Sequence, residues 1–165
     1  LSYSPEAVEK LIELCAQQPF LIQSMANLVF VAAAASGIHA ITTKMVDDAA
    51  QRFVEDNEHF ASLMDYTESD RRRFLVMLVH QAEKDPDPIT LGTLQQRLVR
   101  EEIILTDSEL TGDLRFLMDL ELINFHGERE DTYSLSVPLM GRWLDYQHDY
   151  RALLAKAKAE QESTL

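Results

Sequence analysis

The sequence predicts a mainly α-helical chain that contains one small β-hairpin. Apolar side chains recur at helical spacing through most of its 165 residues, and strong helix-start signals separate the helical segments. Apolar and polar residues alternate only at 122–125 and 133–137, with a polar stretch between these two runs. The composition is typical of a globular chain, since 46% of the residues are hydrophobic and 26% are charged.

Three helices are predicted in the first part of the chain. Residues 4–6 (Ser-Pro-Glu) combine a capping serine, a proline for the first turn and an acid near the positive helix end. Pro19 ends this helix and opens the second, which runs to the Ser-Gly pair at 36–37. Thr42 is expected to cap the third. The apolar run at 20–35 is shorter than the roughly 20 residues that cross a bilayer, so we expect a buried helix.

The second part changes from helical to alternating spacing. A helix over 68–83 is followed by a short helix that Thr90 caps, and then by a third helix that begins with a capping box at 106–109. The two alternating runs then form the hairpin. Helix, short helix, helix and hairpin is the element order of a winged helix-turn-helix.

We place a domain boundary near Tyr66. Residues 1–66 are then a helical bundle, and 67–165 are a winged-helix domain with a C-terminal helix. That final helix is expected to be continuous from Leu139 to Leu154, and the polar last ten residues are expected to fray.

The charge balance argues against polyanionic partners. The chain has 15 basic and 28 acidic residues, a formal net charge of −13, so nucleic acid and anionic membranes repel it. Where a winged helix would meet DNA, the segment 107–121 has five acids against Arg115, and the turn 127–132 has three against one. We therefore expect a protein-facing or intramolecular role for this module, with Arg115 as a candidate partner contact.

No catalytic, metal-binding or cofactor-binding motif is recognised in the sequence. The phosphate-binding pattern GxxxxGK[ST] is absent, so this segment alone should not hydrolyse ATP. The five histidines are scattered without the spacing of a metal pair. The single cysteine, Cys15, is expected to be a core side chain, and a lone cysteine fits a reducing, cytoplasmic compartment. We expect no catalytic residue, no metal and no cofactor in this segment.

Two further groups of residues are candidate contacts. Trp143, Tyr146 and Tyr150 follow one another at i, i+3 and i+7, which predicts one aromatic helix face. Core packing is the commoner use of such a face, but Trp143 is retained as a candidate partner contact. Arg142 beside it could pair with an acid on another domain or subunit. The basic triplet at 71–73 is interpreted as a solvated surface.

Three segments of the first part resemble the helical lid of AAA+ and STAND-class P-loop ATPases. They are 12–23 (IELCAQQPFLIQ), 41–42 (IT) and 46–49 (VDDA). Family members often show a small-residue turn, then a proline, an aromatic and two aliphatic residues, ending in glutamine. The second part looks like the winged helix that follows this lid in STAND and origin-recognition-type ATPases, and 133–144 (YSLSVPLMGRWL) resembles its end in prokaryotic members.

This resemblance implies a non-catalytic regulatory segment that couples nucleotide state to conformational change and signal transduction. The family's proline near the adenine is Pro19 here, with Gln18 beside it, and Gln17 stands where members usually have glycine. Ser136 matches the wing position where eukaryotic relatives carry a phosphate-sensing histidine. ATP or ADP with Mg²⁺ would bind in the parent protein.

The sequence begins with Leu1 and not with a methionine, so we expect the P-loop domain of the parent protein upstream of it. The implied partner of this segment is that upstream ATPase domain or another protein. The resemblance is also compatible with oligomerisation of the parent protein. Two other functions also fit the sequence. One is a DNA-binding winged-helix regulator with a helical dimerisation domain, and the other is a protein-interaction adaptor without a nucleotide link.

Overall fold

Helices dominate the chain, as the spacing of its apolar residues predicts, and the predicted hairpin is present. The computed structural model describes residues 1–128 and 130–164. In chain order the elements are β1 (Ser2–Tyr3), α1 (Pro5–Leu14), α2 (Pro19–Ala35), β2 (Ala40–Ile41), α3 (Thr43–Asp56), α4 (His59–Asp65), α5 (Asp70–Ala82), α6 (Leu91–Arg100), α7 (Asp107–Asp119), β3 (Ile123–His126), β4 (Thr132–Leu135), α8 (Pro138–Gln147) and α9 (Tyr150–Ser163). Within the described residues, none of the helices has the length and apolarity needed to cross a membrane. The prediction of a mainly α-helical fold with a small hairpin is confirmed.

The chain forms two units, each with its own internal packing. The first consists of Leu1–Asn57 and Val137–Gln147, and the second of Glu58–Ser136 and His148–Leu165. Helix α8 thus belongs to the unit that contains the first three helices, whereas its place in the sequence suggests the winged-helix segment. Apolar spacing identifies the buried face of a helix, but it does not identify the helices that bury that face.

The first unit is a helical bundle in which α1, α2 and α8 all pack against α3. The predicted starts are present, because the Ser4 hydroxyl accepts from the N–H of Ala7 at 3.1 Å and Pro19 opens α2. Thr42 occupies the N-cap of α3, but its side chain makes no capping hydrogen bond. Apolar side chains from all four helices form the core: Leu11, Leu14, Leu21, Met25, Val29, Val46, Phe53, Leu139 and Trp143.

A two-residue parallel sheet, β1 with β2, also belongs to the first unit. Ser2 pairs with Ala40, and Tyr3 pairs with Ile41. The N–H of Ser4 then donates to the carbonyl of Ile41 at 3.0 Å, so this short sheet leads directly into the start of α1. The sequence did not predict the sheet, because two residues are too few to show alternation.

Helix α5 is the centre of the second unit, and α6, α7, β4 and α9 pack around it. Its residues from Phe74 to His80 are all buried. Thr90 caps α6, and Thr106 forms a capping box with Glu109 at the start of α7, both as predicted. These caps fix where the two short helices begin and therefore the length of the connections between them.

The hairpin follows α7 directly. Strands β3 and β4 pair in antiparallel register from Ile123 opposite Leu135 to His126 opposite Thr132. The backbone N–H of Tyr133 also donates to the carbonyl of Ile89 at 2.8 Å, so the residues just before α6 flank β4. Helices α5, α6 and α7 followed by this hairpin have the element order of a winged helix-turn-helix.

The prediction of one continuous final helix is wrong. Helix α8 ends at Gln147, and α9 begins at Tyr150 after Asp149, whose carboxylate accepts from the N–H of Ala152 at 2.9 Å. The prediction of a frayed tail is also wrong, since α9 continues to Ser163. Its last turns are held because Glu160 accepts from the N–H of Arg71 at 2.6 Å, at the start of α5.

Candidate functional site

The turn between α1 and α2 carries Gln18 and Pro19, the residues that the resemblance places near a nucleotide. Helix α1 closes in a Schellman motif, in which the N–H groups of Ala16 and Gln17 donate back to carbonyls of the helix at 3.1 and 3.2 Å. The φ angles of Ala16 and Gln17 are 48° and 60°. Two successive residues with Cβ atoms are therefore left-handed, a conformation that favours glycine and costs other residues about 1–2 kcal/mol each.

This turn presents Pro19 to solvent at the first position of α2. Gln18, the N-cap residue, is extended and makes no side-chain capping bond. Pro19 and Phe20 are both exposed. On the other side of the turn, Cys15 lies in the core, as predicted, and burial raises the pKa of its thiol to about 11. The turn therefore has Cys15 buried in the core at one end and the exposed ring of Pro19 at the other.

Ser136 lies in the second unit, whereas Gln18 and Pro19 lie in the first. Its side chain is buried, and its hydroxyl donates to Oδ1 of Asn124 at 3.0 Å. Its backbone N–H donates to the carbonyl of Leu122 at 3.0 Å. The hydroxyl proton of Ser136 is thus already donated to a side chain of strand β3. The Ser136 side chain also has no positive charge that could pair with a phosphate.

Arg142 on α8 is bound within the first unit. Its guanidinium donates to Oδ1 of Asp47 at 2.6 Å, and the ammonium group of Lys10 binds the other oxygen of the same carboxylate. One carboxylate on α3 therefore links α1 to α8. Burial alone would raise the pKa of Asp47, but the hydrogen bonds and charges of Lys10 and Arg142 outweigh it and lower that pKa. The predicted pairing of Arg142 with an acid is thus made inside the first unit, with Asp47.

The aromatic residues near Arg142 do not form the single face that their spacing predicts. Trp143 is 3% exposed and belongs to the core of the first unit. Tyr146, one turn later, is exposed. Tyr150 lies beyond the break between α8 and α9, and its ring packs edge-on against Phe74 with 5.3 Å between centroids. Three residues at helical spacing thus have three different environments.

Two arginines of the basic triplet at 71–73 are bound to a buried carboxylate of α7. Asp113 is 3% exposed and accepts from Nε of Arg71 at 2.7 Å and from Nε of Arg72 at 3.0 Å. The guanidinium of Arg72 also lies 3.9 Å from the centroid of the Phe116 ring. The expectation of a solvated surface is therefore wrong for these two arginines, which anchor α7 to α5.

A cavity of about 470 Å³ lies beside this cluster in the second unit. Its basic lining residues are Arg71 and Arg72, and its acidic ones are Glu109 and Glu160. Asp113 already binds both arginines. The basic charges are thus matched by carboxylates of the chain itself, which leaves no excess positive charge for an anionic ligand.

The outer face of α7 is less acidic than the sequence count indicates. Asp113 is buried and paired, which leaves four of the five acids counted in 107–121 exposed. The side chain of Glu109 accepts from the backbone N–H and the hydroxyl of Thr106, which lowers the pKa of Glu109 and keeps this carboxylate charged. The other exposed residues between 108 and 119 are small or polar, with one base and one acid: Ser108, Thr111, Gly112, Arg115 and Asp119. Arg115 is therefore accessible, as a candidate contact must be.

The turn of the hairpin keeps its acidic character. Glu128, Glu130 and Asp131 are exposed there. Arg129, the one base counted in this turn, lies outside the described residues. In the part of the chain that the structure describes, the hairpin turn included, no group of three histidine, cysteine or acidic side chains is placed to hold a metal ion.

Sequence reasoning missed the two carboxylates that organise the units. Asp47 and Arg142 are 95 positions apart, so no local spacing could reveal their contact. Asp113 did carry a signal, because it interrupts a buried apolar stripe that includes Leu110, Leu114 and Leu117. An acid within such a stripe requires a partner when it is buried.

We compared the chain with protein-family models, with curated proteins and with solved structures, and none of the three comparisons found a significant match. The function must therefore be argued from the residues and their geometry.

Proposed function

We propose that the chain is the lid and winged-helix portion of a STAND-like or AAA+ ATPase, where it acts as a non-catalytic regulator. The observation that carries the proposal is the turn before Pro19. Family members usually have glycine where this chain has Gln17, and Gln17 adopts the left-handed backbone that glycine favours. The backbone geometry is thus compatible with the lid turn although the residue type differs.

The proposed role of this turn is to pack against adenine. Pro19 has no N–H, and its exposed ring offers a flat apolar surface at the start of α2, with Gln18 beside it. A P-loop domain of the same protein would hold the phosphates and Mg²⁺. Nucleotide state would then bias the module between packed and released arrangements, because ATP and ADP would differ in the contacts they make in each arrangement.

The proposed winged helix faces protein rather than DNA. The acidic hairpin turn and the net charge of −13 both oppose binding to a polyanion. Ser136 is uncharged and bound to Asn124, so we assign it no role in sensing phosphate charge. Protein contacts would come from exposed positions such as Arg115 on α7.

The test is nucleotide affinity in the full-length protein after Pro19→Ala. This change removes two methylene groups from the proposed adenine contact. We expect the affinity for ATP and ADP to fall about fivefold, on the basis of roughly 1 kcal/mol for these partly buried groups. Pro5→Ala is the matched control, because Pro5 has the same place at the start of α1. Unchanged affinity, or a full-length protein without a P-loop, contradicts the proposal.

DNA binding is the second candidate function, favoured by the winged helix-turn-helix order and by the exposed Arg115. Fluorescence anisotropy with a random duplex separates the two functions. Phosphate-driven binding would be tight at low salt and would weaken steeply as salt is added. We expect no such binding, and a salt-sensitive complex that is lost in Arg115→Ala would favour the DNA-binding function.

A further inference from the structure

A cavity of about 240 Å³ lies between α2 and α3 in the first unit. Its lining residues come from both helices and include Ser24, Asn27, Leu28, Arg52, Phe53 and Asp56. The volume is below the roughly 300–1,000 Å³ of pockets that hold drug-sized ligands. The cavity therefore suits a molecule of few atoms.

One base and one acid of this cavity do not pair with each other. Arg52 and Asp56 lie four positions apart on α3, a spacing at which opposite charges commonly pair on a helix. Lys44 and Asp48 have the same spacing on the same helix, and they do form an ion pair, at 2.7 Å. In the part of the chain that the structure describes, neither the Arg52 nor the Asp56 side chain has a hydrogen-bond or ion-pair partner. Both charges are thus available to a ligand.

The end of α3 favours positive charge beside Asp56. The helix ends at Asp56, where the last carbonyl groups lack donors within the helix and carry partial negative charge. An ammonium group is stabilised there by the helix end and by the Asp56 carboxylate together. One turn earlier, the guanidinium of Arg52 can donate two parallel hydrogen bonds to a carboxylate. The cavity thus offers one place for each sign of charge.

We propose that this cavity binds a small α-amino acid in its zwitterionic form. The nitrogen and the carboxylate carbon of such a molecule are about 2.5 Å apart, as its N–Cα and Cα–C bonds require. Both charged groups can therefore reach side chains that lie one turn apart on α3. Ser24 and Asn27 line the cavity from α2 and offer hydrogen bonds to a polar ligand side chain. Serine is the amino acid that combines these features with small size.

Ligands of a single charge fit this cavity less well. Arg52 repels a simple cation, and both Asp56 and the net charge of −13 oppose a simple anion. A zwitterion has no net charge, so the overall field of the protein does not oppose its approach. This inference concerns one cavity of the first unit and does not rest on the proposed nucleotide role.

Nuclear magnetic resonance titration of the isotope-labelled chain with L-serine tests the proposal. We expect saturable changes in the backbone amide shifts at 24–28 and 52–57, the two segments that line the cavity. The dissociation constant should be on the order of 1 mM, because a ligand of so few atoms gains little binding free energy.

Two further probes each carry one of the charged groups of L-serine. Sodium acetate supplies the carboxylate alone, and methylammonium chloride supplies the ammonium group alone. We expect each to bind at least about tenfold more weakly than L-serine, because each leaves one charge of the cavity without a partner. Acetate or methylammonium that binds as tightly as L-serine overturns the proposal, since a site for one charge then suffices.

Two variants test the residues themselves. Arg52→Gln and Asp56→Asn should each raise the dissociation constant for L-serine at least about fivefold. Glu55→Gln is the matched control, because Glu55 is an exposed acid of the same helix but does not line the cavity. We expect the control to bind L-serine as the unchanged chain does. Circular dichroism checks that all three variants keep their helical content.

The outcomes that contradict an amino-acid site are specific. One is the absence of saturable shift changes up to about 50 mM L-serine. Another is a set of changes confined to residues outside the cavity. The third is an unaltered dissociation constant in either Arg52→Gln or Asp56→Asn.

Discussion

At the scale of single residues, buried or half-buried carboxylates hold the helices of each unit together. In the second unit, Asp113 binds Arg71 and Arg72 at once. Burial alone would lower the pKa of Arg71, but the hydrogen bond and charge of Asp113 raise it above its usual value. The same cluster that fixes α7 also removes two bases and one acid from the surface available to partners.

Asp47 in the first unit gives a prediction with a defined pH dependence. Asp47→Asn should lower the free energy of unfolding by about 0.5–1 kcal/mol at pH 7, a modest value because the carboxylate and both its partners are partly solvated. Since the pKa of Asp47 is lowered in the folded protein, its contribution is fully present above the unfolded-state pKa of about 4. It is lost as the pH falls through the folded-state value.

Urea denaturation of the unchanged chain and of Asp47→Asn, at pH 7 and in acid, measures this contribution. Asp48→Asn is the control, because Asp48 pairs with the well-exposed Lys44 of its own helix. We expect the control to have a smaller effect at pH 7. A difference between the unchanged chain and Asp47→Asn that persists undiminished in strong acid would refute the assignment.

At the scale of elements, helix starts were predictable and several helix ends were not. Capping side chains are local signals, and they correctly located α1, α6 and α7. The glycine at position 37 likewise located the end of α2. Helices α1 and α6 end in left-handed residues that are not glycine: Ala16 and Glu102. Such residues carry no turn signal, so backbone geometry alone reveals these ends.

The break between α8 and α9 was missed for a related reason. Tyr146 and Tyr150 are four positions apart, and helical spacing continues through the break. Asp149, the N-cap of α9, is a residue type that favours a helix start. The prediction followed the apolar spacing instead and so continued one helix through this position. Short strands such as β1 offered no pattern at all, because their pairing depends on residues almost forty positions away.

The last turns of α9 give a prediction about order. Glu160 accepts from the N–H of Arg71 and from the hydroxyl of Ser69 at 3.1 Å, and so helps to cap α5. Glu160→Ala should increase hydrogen exchange both at the start of α5 and in the end of α9, and it should cost about 1 kcal/mol of stability, the usual value for a lost cap.

Hydrogen exchange measured by mass spectrometry resolves both segments. Glu162→Ala is the matched control, because Glu162 lies in the same helical turn but is exposed. Equal protection in Glu160→Ala and in the control would show that the polar contact does not order the tail.

At the scale of the whole molecule, the net charge of −13 affects every association. The charge acts over a screening length of about 10 Å at 0.1 M salt, so it opposes contact with polyanions most strongly at low ionic strength.

The overall class of the fold could be predicted from the sequence, but the grouping of the helices into two units could not. Periodicity and caps predict elements one at a time. The partnership of α8 with α3 includes the contact between Arg142 and Asp47, which are 95 positions apart in the chain. For the candidate site, the resemblance selected the turn at Gln18 and Pro19, but the left-handed backbone of Gln17 could not be predicted from a glutamine.

The position of α8 limits how the chain can be divided for expression. A fragment that stops at Tyr66 would lack Trp143, which is a buried member of the first unit's core. Apolar side chains of α3 would then be left uncovered, and such a fragment would tend to aggregate. Cutting the polypeptide once cannot yield both halves intact, because each is assembled from two separate stretches of sequence.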